Sequence, residues 1–175
     1  MTGQDSLTNE RAEMKITQDR LKELLDYDPL TGVFVRKKTT SNQLAGKIAG
    51  YIRPDGYSSI VIDRKRYLSH RLAWLYVYGC MPSNFIDHID HNPSNNRIDN
   101  LRDVMQTVNM QNISKPNIDS LTGHLGVTYS KEKSKFQAQI RIDGKNKFIG
   151  RFHTAEEAHI AYVKAKREFH EGCTI

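Results

Sequence analysis

Residues 85–104 read FIDHIDHNPSNNRIDNLRDV and are followed, five positions on, by Asn109. Carboxylates, imidazoles and carboxamides crowd this stretch around a few apolar anchors, which makes it poor core material. Together such groups can move a proton and hold a hard cation. Taken one at a time, they would more simply satisfy the backbone of a long loop, as Asn, Asp and Ser side chains commonly do. The spacing shifts that balance: Asp87 and His88 are adjacent, Asn100 follows the histidine by twelve residues, and Asn109 follows by nine more.

The other candidate ligands have simpler readings. His91 follows His88 by three and could be mistaken for the base, while His70 opens an apolar stretch where a hydrogen-bonded structural histidine is the usual outcome. Trp74 belongs to the same stretch and reads as core. Cys80, His88 and His91 lack a recognised zinc-ligand spacing.

His70-Arg71-Leu72, Asp87-His88-Ile89-Asp90, Asn95-Asn96-Arg97, Asn100-Leu101-Arg102 and Asn109-Met110 together resemble the HNH endonucleases, in the H-N-N variant of the phage and homing branch. The resemblance spans about 45 residues. It implies a ββα-metal unit: a strand near 85–89, a wide polar loop, a second strand near 100–104, and a short helix through Asn109. Phosphodiester hydrolysis needs an activated water, neutralisation of phosphate charge and help for the leaving oxygen. His88 suits the first need, because an imidazole with a pKa near 6.5 is largely neutral at physiological pH. Asp87 and Asn109 suit the others as hard oxygen ligands, for which magnesium or manganese is the expected cation and zinc is not. By the same likeness Asn100 orients His88, and His91 is a variable loop residue and a minor contributor. Consecutive strand residues point to opposite faces, however, so Asp87 and His88 share one phosphate only if the site exploits a strand end.

Around this motif the elements are expected as follows. Residues 1–16 lack periodicity and read as a loose tail. Thr17 caps a helix with Leu21, Leu24 and Leu25 on one face, ended by Pro29 and Gly32. A β-rich stretch follows: GVFVRKK, then AGYIR and YSSIVID about the turn Pro54-Asp55-Gly56, then KRYLS. HRLAWLYVY, from His70 to Tyr78, is a buried helix stopped by Gly79 and Pro82. These elements complete a nuclease unit over residues 17–113. A linker over 114–120 leads to a second unit at 121–175, and catalysis and targeting are expected to separate there. In that unit FQAQIRID alternates strictly, Asp143-Gly144 is a hairpin turn, KFIGRF is the partner strand, and Thr154 with Glu157 forms a capping box for a helix to about His170. The helix carries Ala158, Ala161, Tyr162, Ala165 and Phe169 as an apolar stripe.

From Gly126 to Phe169 the chain is similar to the plant APETALA/ethylene-response-factor type of DNA-binding domain. The likeness rests on Gly126-Val127, Phe136, Ala138, Ile140-Arg141, Phe148-Ile149-Gly150, Phe152, Thr154 to Ala158, and Ala161-Tyr162. It implies a three-stranded antiparallel sheet packed on one helix, with the sheet in the major groove. The class is then α+β throughout. Alternation places Gln137, Gln139 and Arg141 on the face opposite Phe136, Ala138 and Ile140, where Gln and Arg can read adenine and guanine edges. The bland alternative is a solvated polar face. Leu125, Thr128, Ser130 and Asn146 replace arginines of the plant pattern, so its target site does not carry over. Lys131, Lys133, Lys135 and Lys147 are expected to attract phosphate.

The bulk properties agree with a polyanionic partner. The 175-residue chain has a net charge of +6 and a mean hydropathy of −0.63. Between Arg36 and Arg71 nine Lys/Arg, including Arg64, Lys65 and Arg66, face only Asp55 and Asp63. That basic stretch either clamps a duplex or is a solvated hairpin. Two distant cysteines indicate neither a disulfide framework nor a zinc knuckle, and no apolar run approaches the roughly 18 residues of a membrane span. A cytoplasmic protein acting on double-stranded DNA, inside a bacterial or phage-infected cell and with no obligatory protein partner evident, is the expectation. The rivals are a catalytically inactive DNA-binding regulator on the same scaffold, or a protein directed at RNA.

Overall fold

The computed structural model describes residues 16–39 and 43–175. The expected tail lies outside these, apart from Ile16, which is buried. Helix α1 (Gln18–Leu24) starts where expected: Thr17 accepts the Arg20 N–H at 3.2 Å. It stops after two turns, however, because Leu25 already belongs to β1 (Leu25–Asp28), whose Leu25 and Tyr27 alternate into the core. β1 pairs antiparallel with β2 (Val33–Arg36). A second sheet has the order β3 (Tyr51–Ile52), β4 (Ser58–Ile62), β5 (Lys65–Leu68). Its last hairpin turns through Asp63 and Arg64, both at positive φ. A bidentate ion pair from Arg20 to Asp63 holds that turn.

Helix α2 (Ser69–Tyr78) ends on left-handed Gly79 and buries His70, Leu72, Ala73 and Leu75. With Leu21, Leu25, Phe34, Ile60, Ile62, Ile86 and Leu101 these form one hydrophobic core. Two more strands, β6 (Phe85–His88) and β7 (Leu101–Val104), form an antiparallel pair, and α3 (Gln106–Gln111) follows. Strand, loop, strand and helix thus fall where the ββα likeness places them.

A second core gathers Val127, Ala138, Ile140, Ala155, Ala158 and Tyr162. It lies between a three-stranded antiparallel sheet and one helix. The sheet order is β10 (Lys145–Phe152), β9 (Lys135–Ile142), β8 (Val127–Ser130), and the helix is α4 (Ala155–Phe169). The Thr154–Glu157 capping box is complete, an arrangement contributing about 1 kcal/mol. Gly126 admits the helix: a Cβ there would lie 2.0 Å from the Tyr162 ring. The apolar stripe differs from the expected one, since Lys166 is buried in it while Phe169 is exposed. Beyond α4, residues 170–175 run back to α3 and β7, so the two units touch along more than the 114–120 connection.

Candidate active site

The site grows from the β6–β7 hairpin. Register sets Asp87 opposite Arg102 and His88 opposite Leu101. β6 ends at His88, where the His91 N–H donates to the His88 carbonyl at 3.0 Å and His91 takes a positive φ. Asp87 and His88 do point in opposite directions, each into a different set of partners. Because the strand stops there, both still line one open cleft of about 410 Å³, together with Tyr57, His91, Asn109 and Asn112. A strand end therefore lets two consecutive residues serve a common space.

On one side His88 packs among rings. Its imidazole centroid lies 5.2 Å from that of His70 and 5.8 Å from that of Tyr57. His88 Nε2 sits 3.4 Å from Asn96 Oδ1, and the Asn96 Nδ2 donates to the Ser94 carbonyl. With its amide so fixed, Asn96 presents only oxygen to the ring, which places the proton on Nε2 and leaves Nδ1 with a free lone pair. Burial pushes the His88 pKa below the ordinary imidazole value, so the ring is neutral at physiological pH. His70, equally buried, is pushed down to about 3 by burial and by the neighbouring His88 and Arg71. Its Nδ1 has no hydrogen-bond partner among the described residues.

Asn100 is buried but makes no hydrogen bond to the His88 ring. Its Oδ1 accepts the Asp90 N–H at 3.0 Å, and its Nδ2 donates to Asp90 Oδ1 and the Asn95 carbonyl, both at 2.9 Å. Asn100 therefore shapes the loop from which Asn96 meets His88. The same loop is propped from outside, since the Tyr27 hydroxyl donates to the Asn96 carbonyl at 2.7 Å.

On the other side, the Asp87 carboxylate is 7% exposed. Arg102 Nε donates to Oδ2 at 2.8 Å, and Asn112 Nδ2 reaches both carboxylate oxygens at 3.1 and 3.0 Å. Asn109 lies half-buried in the same cleft and forms no side-chain hydrogen bond among the described residues. A carboxylate and a carboxamide oxygen are the kinds of ligand a hard divalent cation takes, and both Asp87 oxygens already accept hydrogen bonds from Arg102 and Asn112. Among the described residues no three His, Cys, Asp or Glu side chains converge as a metal-holding group.

The sheet of the second unit presents an open face. Lys135, Gln137, Gln139 and Arg141 lie there, opposite buried Ala138 and Ile140. β10 is irregular between Phe148 and Gly150, and beyond that bulge Arg151 pairs with Gln137 and joins the same face. Its guanidinium stands 5.2 Å over the Phe148 ring. Lys147 does not share this face: it pairs with Ile140 on the helix side, its Nζ 4.4 Å over the Phe169 ring. Lys131 and Lys133 sit exposed in the β8–β9 turn. Arg64, Lys65 and Arg66 are exposed on the β4–β5 hairpin, where Arg66 lies over the Tyr51 ring.

Comparison with known proteins fits the hairpin and helix. Residues 67–111 match the family model described as HNH endonuclease. Protein 3.8 of Escherichia phage T7 is 34% identical over 77 residues, 43% of this chain, and the match spans 63% of that protein's own length. A solved structure entitled "DNA binding and cleavage by the HNH homing endonuclease I-HmuI" aligns at 23% identity with a TM-score of 0.40, covering 85% of this chain and 88% of that one. The HNH match runs from β5 through α3 and so contains Asp87, His88, Asn96, Asn100, Arg102 and Asn109.

Several neighbours of the site were not singled out by sequence reasoning. Arg102 was recoverable, because antiparallel pairing of the two strands sets it across from Asp87. Tyr57 was legible only as one side of an alternating strand. Asn96 entered only as part of the Asn95-Asn96-Arg97 segment, with no role of its own, and Asn112 carried no signal beyond its residue type.

Proposed function

We propose that this chain is a divalent-metal-dependent endonuclease that hydrolyses phosphodiester bonds of double-stranded DNA. The observation that carries the reading is the His88 ring, neutral through burial, tethered at Nε2 by Asn96, and lining one cleft with Asp87 and Asn109. His88 Nδ1 removes a proton from water. Asp87 and Asn109 would hold magnesium or manganese, which when bound supplies charge neutralisation at the phosphate and leaving oxygen. Asn100 fixes the loop, and through Asn96 the ring. Exposed Lys and Arg on the β4–β5 hairpin attract the duplex on the nuclease side.

Residues 17–113 form the nuclease unit and 121–175 the targeting unit, joined by 114–120. The latter reads duplex DNA with Gln137, Gln139, Arg141 and Arg151, in the manner its ethylene-response-factor likeness implies. Lys131 and Lys135 supply phosphate attraction. Among the described residues no helix is long and apolar enough to cross a membrane, and both cysteines are free, in keeping with work in the cytoplasm of a bacterial or phage-infected cell.

One observation favours a second reading, a silent DNA-binding regulator: Arg102 already neutralises the Asp87 carboxylate. Incubation of the purified chain with supercoiled plasmid and magnesium separates the two. The nuclease nicks or linearises the plasmid and loses that activity in chelator; the regulator retards the plasmid in a gel without cutting it.

A further inference from the structure

We propose that Asn112 and Thr174 are positioning residues for Asp87, which makes the segment after α4 a working part of the nuclease site. The inference rests on the reading of Asp87 as the metal-holding carboxylate. Asn112 caps α3, is 4% exposed, and lies just beyond the segment that matches the HNH family model. One Nδ2 bears two protons, and here they are spent on the Asp-His pair itself: the Asp87 carboxylate and, at 3.1 Å, the His88 carbonyl. A carboxamide in that pose turns its oxygen away from Asp87, and the oxygen needs a donor of its own. Thr174 provides it, with Oγ1 2.5 Å from Asn112 Oδ1.

The hydroxyl has a single proton and two acceptors within reach, Asn112 Oδ1 and, farther away at 2.9 Å, the Ile89 carbonyl. The shorter contact takes the proton, since an unprotonated oxygen pair at that separation would repel, and the hydroxyl oxygen accepts from His91 Nε2 at 2.8 Å. A directed chain results, from His91 through Thr174 and Asn112 to Asp87. The reverse orientation of the amide would set its carbonyl against a carboxylate and is excluded by like partial charges.

Thr174 arrives there because the segment is independently docked. The Gly172 N–H donates to Gln111 Oε1 at 3.1 Å, and its carbonyl accepts from Arg102 Nη2 at 2.8 Å. Arg102 thereby bridges Asp87 and the segment. The approach to α3 is so close that a Cβ on residue 172 would lie 2.3 Å from the Val108 carbonyl oxygen. Buried Lys166, on α4 itself, donates to the Ile113 carbonyl. Asp87 is thus held by two partners, Arg102 and Asn112, and each is in turn held by residues 172–174.

Groups that orient a metal-holding carboxylate typically change metal affinity by about 10- to 100-fold when removed. The full chain is compared with Thr174→Val, Thr174→Ser and Asn112→Leu. Three quantities are read: Mn²⁺ affinity by calorimetry without DNA, the Mn²⁺ concentration giving half-maximal plasmid nicking, and DNA affinity in chelator. Thr174→Val is expected to weaken Mn²⁺ binding about tenfold and Asn112→Leu about 100-fold. DNA affinity in chelator and the thermal midpoint of the valine variant stay near wild type, and Thr174→Ser restores Mn²⁺ binding.

Wild-type Mn²⁺ affinity in a folded Thr174→Val chain overturns the proposal, as does tighter binding, which would make the segment an obstruction. Failure of serine to rescue also overturns it. If the wild-type chain binds Mn²⁺ and the variants weaken it but nothing is cut, positioning stands and the nuclease reading falls. If the wild type cuts with the same metal dependence as the variants, the nuclease reading stands and positioning falls. A wild type that binds no Mn²⁺ removes both.

Discussion

The β6–β7 hairpin and the C-terminal sheet use polar side chains in opposite ways. Around β6 and β7 the polar groups are buried and held by several partners: Asp87 by Arg102 and Asn112, Asn100 by Asp90 and Asn95, His88 by Asn96 and two rings. On the open face of β9 and β10, Arg141 is exposed and Arg151, among the described residues, has only the Phe148 ring beneath it. A buried network tolerates no substitution of a member without leaving another unsatisfied. An exposed face can be edited one contact at a time. The hairpin should therefore fail sharply and the sheet gradually.

The sharpest test of that contrast is His88→Ala, which should cut plasmid nicking by about two to four orders of magnitude while duplex affinity is retained. Equal loss of binding would move His88 out of the water-activating role. Next, Asp87→Ala and Asn109→Ala should each raise the metal concentration needed for nicking, with partial recovery in excess Mn²⁺. They differ in stability: Asp87→Ala also leaves Arg102 without its partner and should lower the thermal midpoint, whereas Asn109→Ala should not. A common thermal loss would show that Asn109 belongs to the packed network.

On the sheet side, Arg141→Ala and Arg151→Ala should each relax preference at particular base pairs by about 1–3 kcal/mol, read from a panel of single-base variants of a selected site. Lys135→Ala should weaken binding evenly across the panel and reduce the salt slope by about 1. A uniform effect of Arg151→Ala would remove it from the reading set.

The remaining test concerns acid stability. His70 is held near pKa 3 when folded, against about 6.5 when unfolded. Between those values the unfolded chain binds a proton that the folded chain does not, so His70 contributes no penalty above pH 6.5 and a growing one as pH falls towards 3. Urea unfolding from pH 7 to 4 should show a shallower loss for His70→Asn than for wild type. Parallel curves would place the acid sensitivity elsewhere.

The same contrast governs what was legible in the sequence. Local codes worked: Thr17 and Thr154 start helices, Gly79 stops one, and alternation in FQAQIRID divides the two faces of β9. Long-range ones did not. Leu25 satisfies both a helical stripe and a strand pattern, and only packing beside Phe34 in the core decides for β1. Strict alternation could not have placed Arg151, because the bulge after Phe148 shifts the parity of everything beyond it. The likeness drew attention to Asn100 as the partner of His88, yet Asn96 is the side chain that meets the ring. Thr174, 62 residues from Asn112, has no periodicity or spacing that could announce it.

The loop between β6 and β7 ties itself in place. Asp90 accepts the Asn92 N–H and the Asn95 amide, Asn92 accepts from the Ser94 backbone and hydroxyl, and Asn100 closes the circuit on Asp90. Such bonds freeze the backbone torsions of the loop when the chain folds, before any nucleic acid is present. The conformational entropy of the loop is therefore lost once, at folding, and a phosphodiester that reaches the cleft meets a surface with little left to order.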